Sequence, residues 1–277
     1  MEVLPPLDVK LHSRHTFTVH NNHVHHLSDH QHHVYDTVLE KWSTLDNHFH
    51  RNFHFDSCVL KEKLYVFGVV KTNVSPSHLP MQVHCLKTGE WRQLAVKINC
   101  EPKASMRCKC VVVEGRVFIF ELEGEFHLGM FRTKINRVLL FQPENYPENQ
   151  EDVLTDLKNE NLFRFSYMPN IFVAGKKVWF VSRSVRKCFH DDTKNLLLAV
   201  VYDVTANEFF EKTIDVPLDF FGVNQLVYYQ GYVYVAHSAQ GEIVRFVYDE
   251  DKLLFDFFFS ATIDYNYTLF RCMFSNK

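Results

Sequence analysis

Residues 55–68 read FDSCVLKEKLYVFG, and this stretch decides the fold. Two apolar runs, at 55–60 and 64–67, flank the polar connection Lys61-Glu62-Lys63. Valine, tyrosine and phenylalanine favour strands, and a short polar connection between two such runs is typical of a β-hairpin. The stretch therefore predicts two antiparallel strands.

The same design recurs along the chain. Apolar runs that begin at Val24, Leu64, Val117, Val178 and Val233 are separated by 40, 53, 61 and 55 residues. A third apolar run, a turn and a fourth run led by an aromatic residue follow most of these hairpins. A period near about 50 with four strands per repeat is typical of a propeller blade.

The most complete repeat lies at 51–94. It carries Arg51, Tyr65, Gly68, Gly89 and Trp91, and the second half of the preceding repeat carries Tyr35, Asp36, Trp42 and Leu45. On these residues the chain resembles the kelch repeat family. The family's double glycine is not intact, and Phe209 and Phe255 stand where later repeats would carry tryptophan. The resemblance implies an all-β propeller with five or six four-stranded blades.

We expect one domain over 1–277, in which 1–11 and 261–277 together close the ring. The predicted repeats lie at about 12–46, 51–96, 105–142, 163–216 and 219–260. Between the third and fourth repeats, an acidic, proline-containing connection spans 142–160. This connection is predicted to be an insertion loop, with a short helix over 150–162 as the alternative, because its leucines partly follow helical spacing.

Composition excludes several classes of protein. The 277 residues are 46% hydrophobic and 15% aromatic, which argues against a disordered chain. With 33 acidic and 30 basic residues the net charge is only −3, so a nucleic acid is not an expected partner. No apolar stretch reaches the roughly 18 residues needed to span a bilayer, so a membrane is not expected either. Seven cysteines without framework spacing, and an N-terminus unlike a secretory signal, predict reduced thiols in the cytoplasm or nucleus.

Histidine is unusually concentrated: 17 are present, and nine lie between His12 and His33. Alternate residues of a strand share a face, so His23 with His25, or His30 with His32, could offer two imidazoles to one metal ion. The spacing identifies no third or fourth ligand. We therefore predict structural or surface histidines and no metal site, with a metal-dependent, oxidoreductase-like enzyme as the alternative function.

Other catalytic chemistry has little support in the sequence. Cys108 and Cys110 share one face of a predicted strand and are expected to be buried, inert thiols. No nucleophile elbow, phosphate loop or dinucleotide fingerprint is present. We therefore expect a protein that is not an enzyme and needs no cofactor.

The connections between second and third strands carry the candidate binding site. They are predicted to be long loops at 69–80, 121–136 and 182–195. Arginine and aromatic side chains anchor many protein interfaces, and loops on a rigid scaffold often hold binding residues. The candidate partner-binding residues are Phe126, Met130, Phe131, Arg132, Lys134, Arg183, Arg186, Lys187, Phe189 and His190.

These observations together predict a non-enzymatic protein–protein interaction module that binds a segment of a partner on its loop face. The basic residues in the loops favour an acidic peptide as that segment. The kelch resemblance implies a role in substrate recognition for a ubiquitin ligase.

Overall fold

In a computed structural model of the chain, the described residues form 21 β-strands and no helix. Accordingly, this part of the chain contains no helical segment able to cross a bilayer. The described residues are 15–28, 31–45, 54–69, 78–97, 106–127, 130–142, 154–158, 163–165, 168–183, 195–216, 223–229, 231–237, 242–249 and 252–260.

The strands form five antiparallel sheets, numbered here in chain order. Sheet 1 contains β1 (His15–His20), β2 (His23–Ser28), β3 (His32–Asp36) and β4 (Lys41–Leu45). Sheet 2 contains β5 (His54–Leu60), β6 (Lys63–Val69), β7 (His78–Cys85) and β8 (Trp91–Lys97). Sheet 3 contains β9 (Met106–Val113), β10 (Arg116–His127), β11 (Met130–Phe141) and β12 (Leu154–Lys158), and β13 (Phe163–Phe165) also pairs with β11.

The last two sheets follow the same order. Sheet 4 contains β14 (Asn170–Ala174), β15 (Lys177–Arg183), β16 (Asn195–Asp203) and β17 (Glu208–Val216). Sheet 5 contains β18 (Val223–Tyr229), β19 (Tyr232–His237), β20 (Glu242–Asp249) and β21 (Lys252–Ser260). In every sheet the first four strands pair in chain order, which is the topology of a propeller blade. The predicted all-β class with four-stranded repeats is confirmed.

The described residues belong to two compact units. One unit holds sheets 1 and 2 and most of sheet 3. The other holds sheets 4 and 5, with β13 and the tip of the β10–β11 hairpin at 125–127 and 130–133.

The first hairpin turn is the most regular feature of the repeat. Two residues separate the first and second strands in all five sheets, at 21–22, 61–62, 114–115, 175–176 and 230–231. Both Lys61 and Glu62 have positive φ, at 51° and 57°, as do Glu114 and Gly115 at 50° and 71°. Positive φ at both central residues is the signature of the tight turn whose twist matches antiparallel strands.

The turn between third and fourth strands also repeats. Asp36 Oδ1 accepts hydrogen bonds from the amides of Val38 and Leu39, at 2.8 and 2.9 Å. Asp203 Oδ1 accepts from the amides of Thr205 and Ala206 at 2.9 and 3.1 Å. Such aspartate turns satisfy backbone donors that no strand can pair. The residue four positions after each aspartate, Glu40 or Asn207, has a positive φ. Gly89, the corresponding residue in sheet 2, also has a positive φ.

Sheet 2 is buried on both faces, which explains the continuous apolar run at 64–67. Tyr65 and Phe67 face a core that sheet 2 shares with sheet 3, which we call the apolar junction. Leu64 and Val66 face sheet 1, where they contact Leu27. The apolar junction consists of Cys58, Tyr65, Phe67, Met81 and Val83 of sheet 2 and Cys108, Cys110, Val117, Ile119, Leu139 and Phe141 of sheet 3.

Two predictions about sheet 3 were wrong. The segment 121–136, predicted to be a loop, lies mostly in strands, because β10 and β11 continue to residue 127 and from residue 130. Val117, Ile119, Glu121 and Glu123 lie at alternate positions and are all buried, so the buried strand continues beyond the apolar run into charged residues. Within the connection predicted as a loop or helix, residues 154–158 instead form β12, which pairs with β11.

Candidate functional site

The structure places only part of the predicted partner-binding set. Phe126 lies in β10, while Met130, Phe131, Arg132 and Lys134 lie in β11. Arg183 is the last residue of β15. Arg186, Lys187, Phe189 and His190 lie outside the described residues. The candidate residues in β10 and β11 are therefore held on a β-hairpin and not on an irregular loop.

Lys134 is engaged within its own sheet. Its Nζ lies 3.2 Å from Glu123 Oε2, and the two side chains are only 12% and 10% exposed. Breaking a buried ion pair leaves an uncompensated charge, which costs several kcal/mol. Lys134 therefore stabilises the long hairpin and contributes little positive charge to a partner surface, whereas Arg132 is only half-buried.

Sequence reasoning missed a second group of buried charges beside this pair. Arg137 Nε donates a hydrogen bond to Asp156 Oδ2 at 2.7 Å, which links β11 to β12. Burial raises the pKa of Glu121 to about 7, and the nearby Arg137 guanidinium opposes that rise. A buried carboxyl that titrates near neutrality is a common property of functional sites, although structural networks also produce it.

Buried histidines occupy the contact between sheets 1 and 2. His25 Nδ1 and His32 Nε2 lie 3.0 Å apart and share a hydrogen bond. The His32 ring meets His84 of β7 edge to face, with 5.3 Å between ring centroids. His84 in turn stacks on Trp91 at 4.6 Å. We call the group formed by His25, His32, His84 and Trp91 the histidine junction.

Two more histidines lie on the opposite face of sheet 1. His26 and His33 are cross-strand neighbours whose rings stack with 5.7 Å between centroids. Phe17 stacks on His26 at 4.6 Å. His33 Nε2 donates to Gln31 Oε1, which can only accept, and its Nδ1 therefore accepts from the Thr44 hydroxyl, each at 3.0 Å.

Burial favours the neutral form of these imidazoles. Burial, and then the neighbouring His23, lowers the pKa of His25 to about 4. Burial and the neighbouring His25 lower the pKa of His32 to about 2. Burial also lowers the pKa of His33 and of His84, and a hydrogen bond to the backbone of Glu90 partly offsets the effect at His84.

The two suggested histidine pairs have different outcomes. His23 and His25 lie on one face of β2, with 6.4 Å between their ring centroids, and His25 also shares a hydrogen bond with His32 of the neighbouring strand. His30 lies outside the described residues, so its pairing with His32 stays a prediction. Among the residues that the structure places, no three histidine, cysteine, aspartate or glutamate side chains converge as metal ligands. The alternative of a metal-dependent enzyme therefore gains no support from this part of the chain.

One carboxylate links the first three sheets. Asp56 of β5 accepts a hydrogen bond from Thr16 Oγ1 of β1 at 2.8 Å, and another from the amide of Cys110 of β9 at 3.0 Å. Lys109 Nζ lies 3.6 Å from the same carboxylate. Thr18 and Ser57 are also hydrogen-bonded through their hydroxyls. These polar contacts fix the alignment of the first strands of neighbouring sheets.

The cysteines are free in the described part of the chain. Cys108 and Cys110 are both buried, as predicted. Burial, and then a hydrogen bond between the neutral thiol and Cys58, raises the pKa of Cys110. Cys85 differs, because hydrogen bonds from the Thr88 side chain and from nearby backbone lower the pKa of its thiol.

No protein-family model matches the chain, and no curated protein matches it significantly.

Proposed function

We propose that the chain is a non-enzymatic protein–protein interaction module built as a kelch-type propeller of five or six blades. One observation carries the proposal: the first connection has two residues in all five sheets, while the next connection varies in length. The second and third strands are separated by 3, 8, 2, 11 and 4 residues, at 29–31, 70–77, 128–129, 184–194 and 238–241. A regular strand scaffold with connections of variable length is typical of binding proteins.

Recurring aromatic pairs support the kelch type. Tyr35 and Trp42 are cross-strand partners in sheet 1, with 5.1 Å between ring centroids. Tyr202 and Phe209 occupy the same positions in sheet 4, at 4.7 Å. His84 and Trp91 do so in sheet 2. The kelch pattern has a third-strand tyrosine and a fourth-strand tryptophan, and these pairs follow it with substitutions.

The proposed partner is an acidic segment of another protein. Arg183 ends β15 and begins the longest of the variable connections, which contains Arg186, Lys187, Phe189 and His190. Arginine binds carboxylates through two parallel hydrogen bonds, and aromatic side chains add buried area at low entropic cost. In this account the module presents substrates to a ubiquitin ligase in the cytoplasm or nucleus.

The test is a charge reversal with a matched control. The variant R183E/R186E/K187E should lose partner capture in an affinity purification while its melting temperature stays within a few degrees of wild type. The control K63E/K87E/K176E reverses three exposed lysines located at turns away from the variable connections, and it should retain every captured partner. Capture that survives R183E/R186E/K187E would contradict the proposed surface.

A further inference from the structure

We propose that the histidine junction is a proton-sensitive contact, and that mild acidification separates sheet 1 from sheet 2. The proposal is independent of the binding function. It depends on where the imidazoles lie and on what surrounds them.

The geometry requires neutral rings. In the hydrogen bond between His25 and His32, one ring donates and the other accepts, so at least the acceptor is neutral. If both rings carried a second proton, two donors and two positive charges would face each other across 3.0 Å. The exposed fractions of His25 and His32 are 4% and 0%, so water cannot screen that repulsion.

The junction also offers few acceptors for additional protons. Among the described residues, Nδ1 of His32 and Nδ1 of His84 are buried without a hydrogen-bond partner. A protonated imidazole has two N–H donors, and an unsatisfied buried donor carries its full desolvation penalty. Protonation at these atoms therefore favours any state in which water reaches the ring.

Carboxylates near the junction are already engaged. Glu62 Oε1 lies 3.2 Å from His20 Nε2, and Asp36 Oδ2 lies 3.6 Å from His23 Nε2, both at the solvent-exposed rim. The charges that act on His25 come from other histidines, His23, His84 and His20. The surrounding titratable groups are His20 on β1, His23 and His26 on β2, His33 and Asp36 on β3, exposed Lys41 on β4, Asp56 on β5, Glu62 in the first turn of sheet 2, exposed Lys63 on β6 and exposed Arg92 on β8.

The sign of the effect follows from linkage. The pKa values of His25 and His32 in the folded chain, about 4 and about 2, lie below the ordinary value of 6.5. The unfolded or opened state therefore binds protons first as the pH falls. The contribution of His25 and His32 to stability is therefore full above about pH 6.5 and is lost progressively below it.

The main experiment is urea unfolding of the full chain between pH 8 and pH 5. We expect the unfolding constant of wild type to rise steeply below pH 6.5. The variant H25L/H32L removes both partners of the hydrogen bond, and between pH 6 and pH 5 its unfolding constant should rise about 50-fold less than that of wild type. The control N22Q changes an exposed, non-titrating side chain in the first turn of the same sheet, and it should keep the wild-type slope. Equal slopes in H25L/H32L and wild type would overturn the proposal.

A second measurement needs no variant. In NMR spectra of histidine-labelled wild type at pH 5.5, the folded state should show His25 and His32 as neutral rings sharing a proton. If both rings titrate in the folded state with midpoints near 6.5, the proposal is wrong, whether or not H25L/H32L folds.

Discussion

Sheet 2 meets its two neighbours with opposite chemistry. On one face, Tyr65 and Phe67 pack into the apolar junction, where Phe67 and Phe141 meet edge to face with 6.0 Å between ring centroids. On the other face, His84 and Trp91 pack against His32 of sheet 1. The same four-stranded repeat therefore produces one contact held by apolar burial and one that also depends on uncharged imidazoles. Packing of similar sheets does not require a uniform core.

The largest expected effect comes from breaking the apolar junction. Phe67 is fully buried, and Phe67→Ala should lower the free energy of unfolding by about 3–5 kcal/mol. Because no proton is involved, the loss should be the same at pH 5.5 and pH 7.5. Urea unfolding at the two pH values measures it, and Val38→Ala, at a 60% exposed turn position, serves as the control with a change below about 0.5 kcal/mol. A loss that differs strongly between the two pH values would remove the contrast between the junctions.

A second variant tests an opposite pH dependence at the charged end of sheet 3. The pKa of Glu121 in the folded chain is about 7, above its ordinary value of 4.5. The folded state holds that proton more tightly, so the contribution of Glu121 to the free energy of unfolding is lost as the pH rises from about 4.5 through 7. The difference in free energy of unfolding between Glu121→Gln and wild type should therefore shift in favour of the variant by about 2 kcal/mol when the pH is raised from 5 to 8.

The control for that variant is Glu114→Gln, at an exposed turn of the same sheet. It should follow wild type at every pH. If Glu121→Gln also follows wild type in urea titrations at pH 5 and pH 8, Glu121 is ionised in the folded protein throughout that range.

The smallest expected effect concerns the turn between third and fourth strands. Cys85 occupies in sheet 2 the position that Asp36 and Asp203 occupy in sheets 1 and 4. A carboxylate accepts amide hydrogen bonds better than sulfur does, so Cys85→Asp should stabilise the chain by about 0.5–1 kcal/mol. Thermal unfolding measures the gain, and Cys85→Ala should instead lose stability. Equal melting temperatures for Cys85→Asp and Cys85→Ala would show that the repeat does not extend to this turn.

Local features of the fold were predictable from the sequence, whereas contacts across strands and sheets were not. The hairpin around Lys61 and Glu62 follows from two apolar runs and a short polar connection, which act over a few residues. The hydrogen bond between His25 and His32 depends on a register that brings residues of two strands together. The contact with His84 depends on how two sheets pack, which no spacing within one repeat reveals.

The candidate site was predictable only in outline. The basic character of the connection after Arg183 is visible in the sequence, and its structure lies outside the described residues. Lys134 looked like a free cation because its partner Glu123 is recognised only once the long hairpin forms. Strand β12 was missed because it pairs with the end of β11, around Phe141. A connection of twelve residues, 142–153, separates the two strands in the sequence.

Hydrogen exchange at pH 7.5 and pH 5.5, corrected for the intrinsic exchange rates, tests the contrast between the two junctions most directly. On acidification, protection of amides in β2 and β3 should fall at least about tenfold. Protection in β10 and β11, at 116–123 and 134–141, should fall by a clearly smaller factor. If both sets of amides lose protection by the same factor, or neither loses any, the two faces of sheet 2 do not differ in the way described.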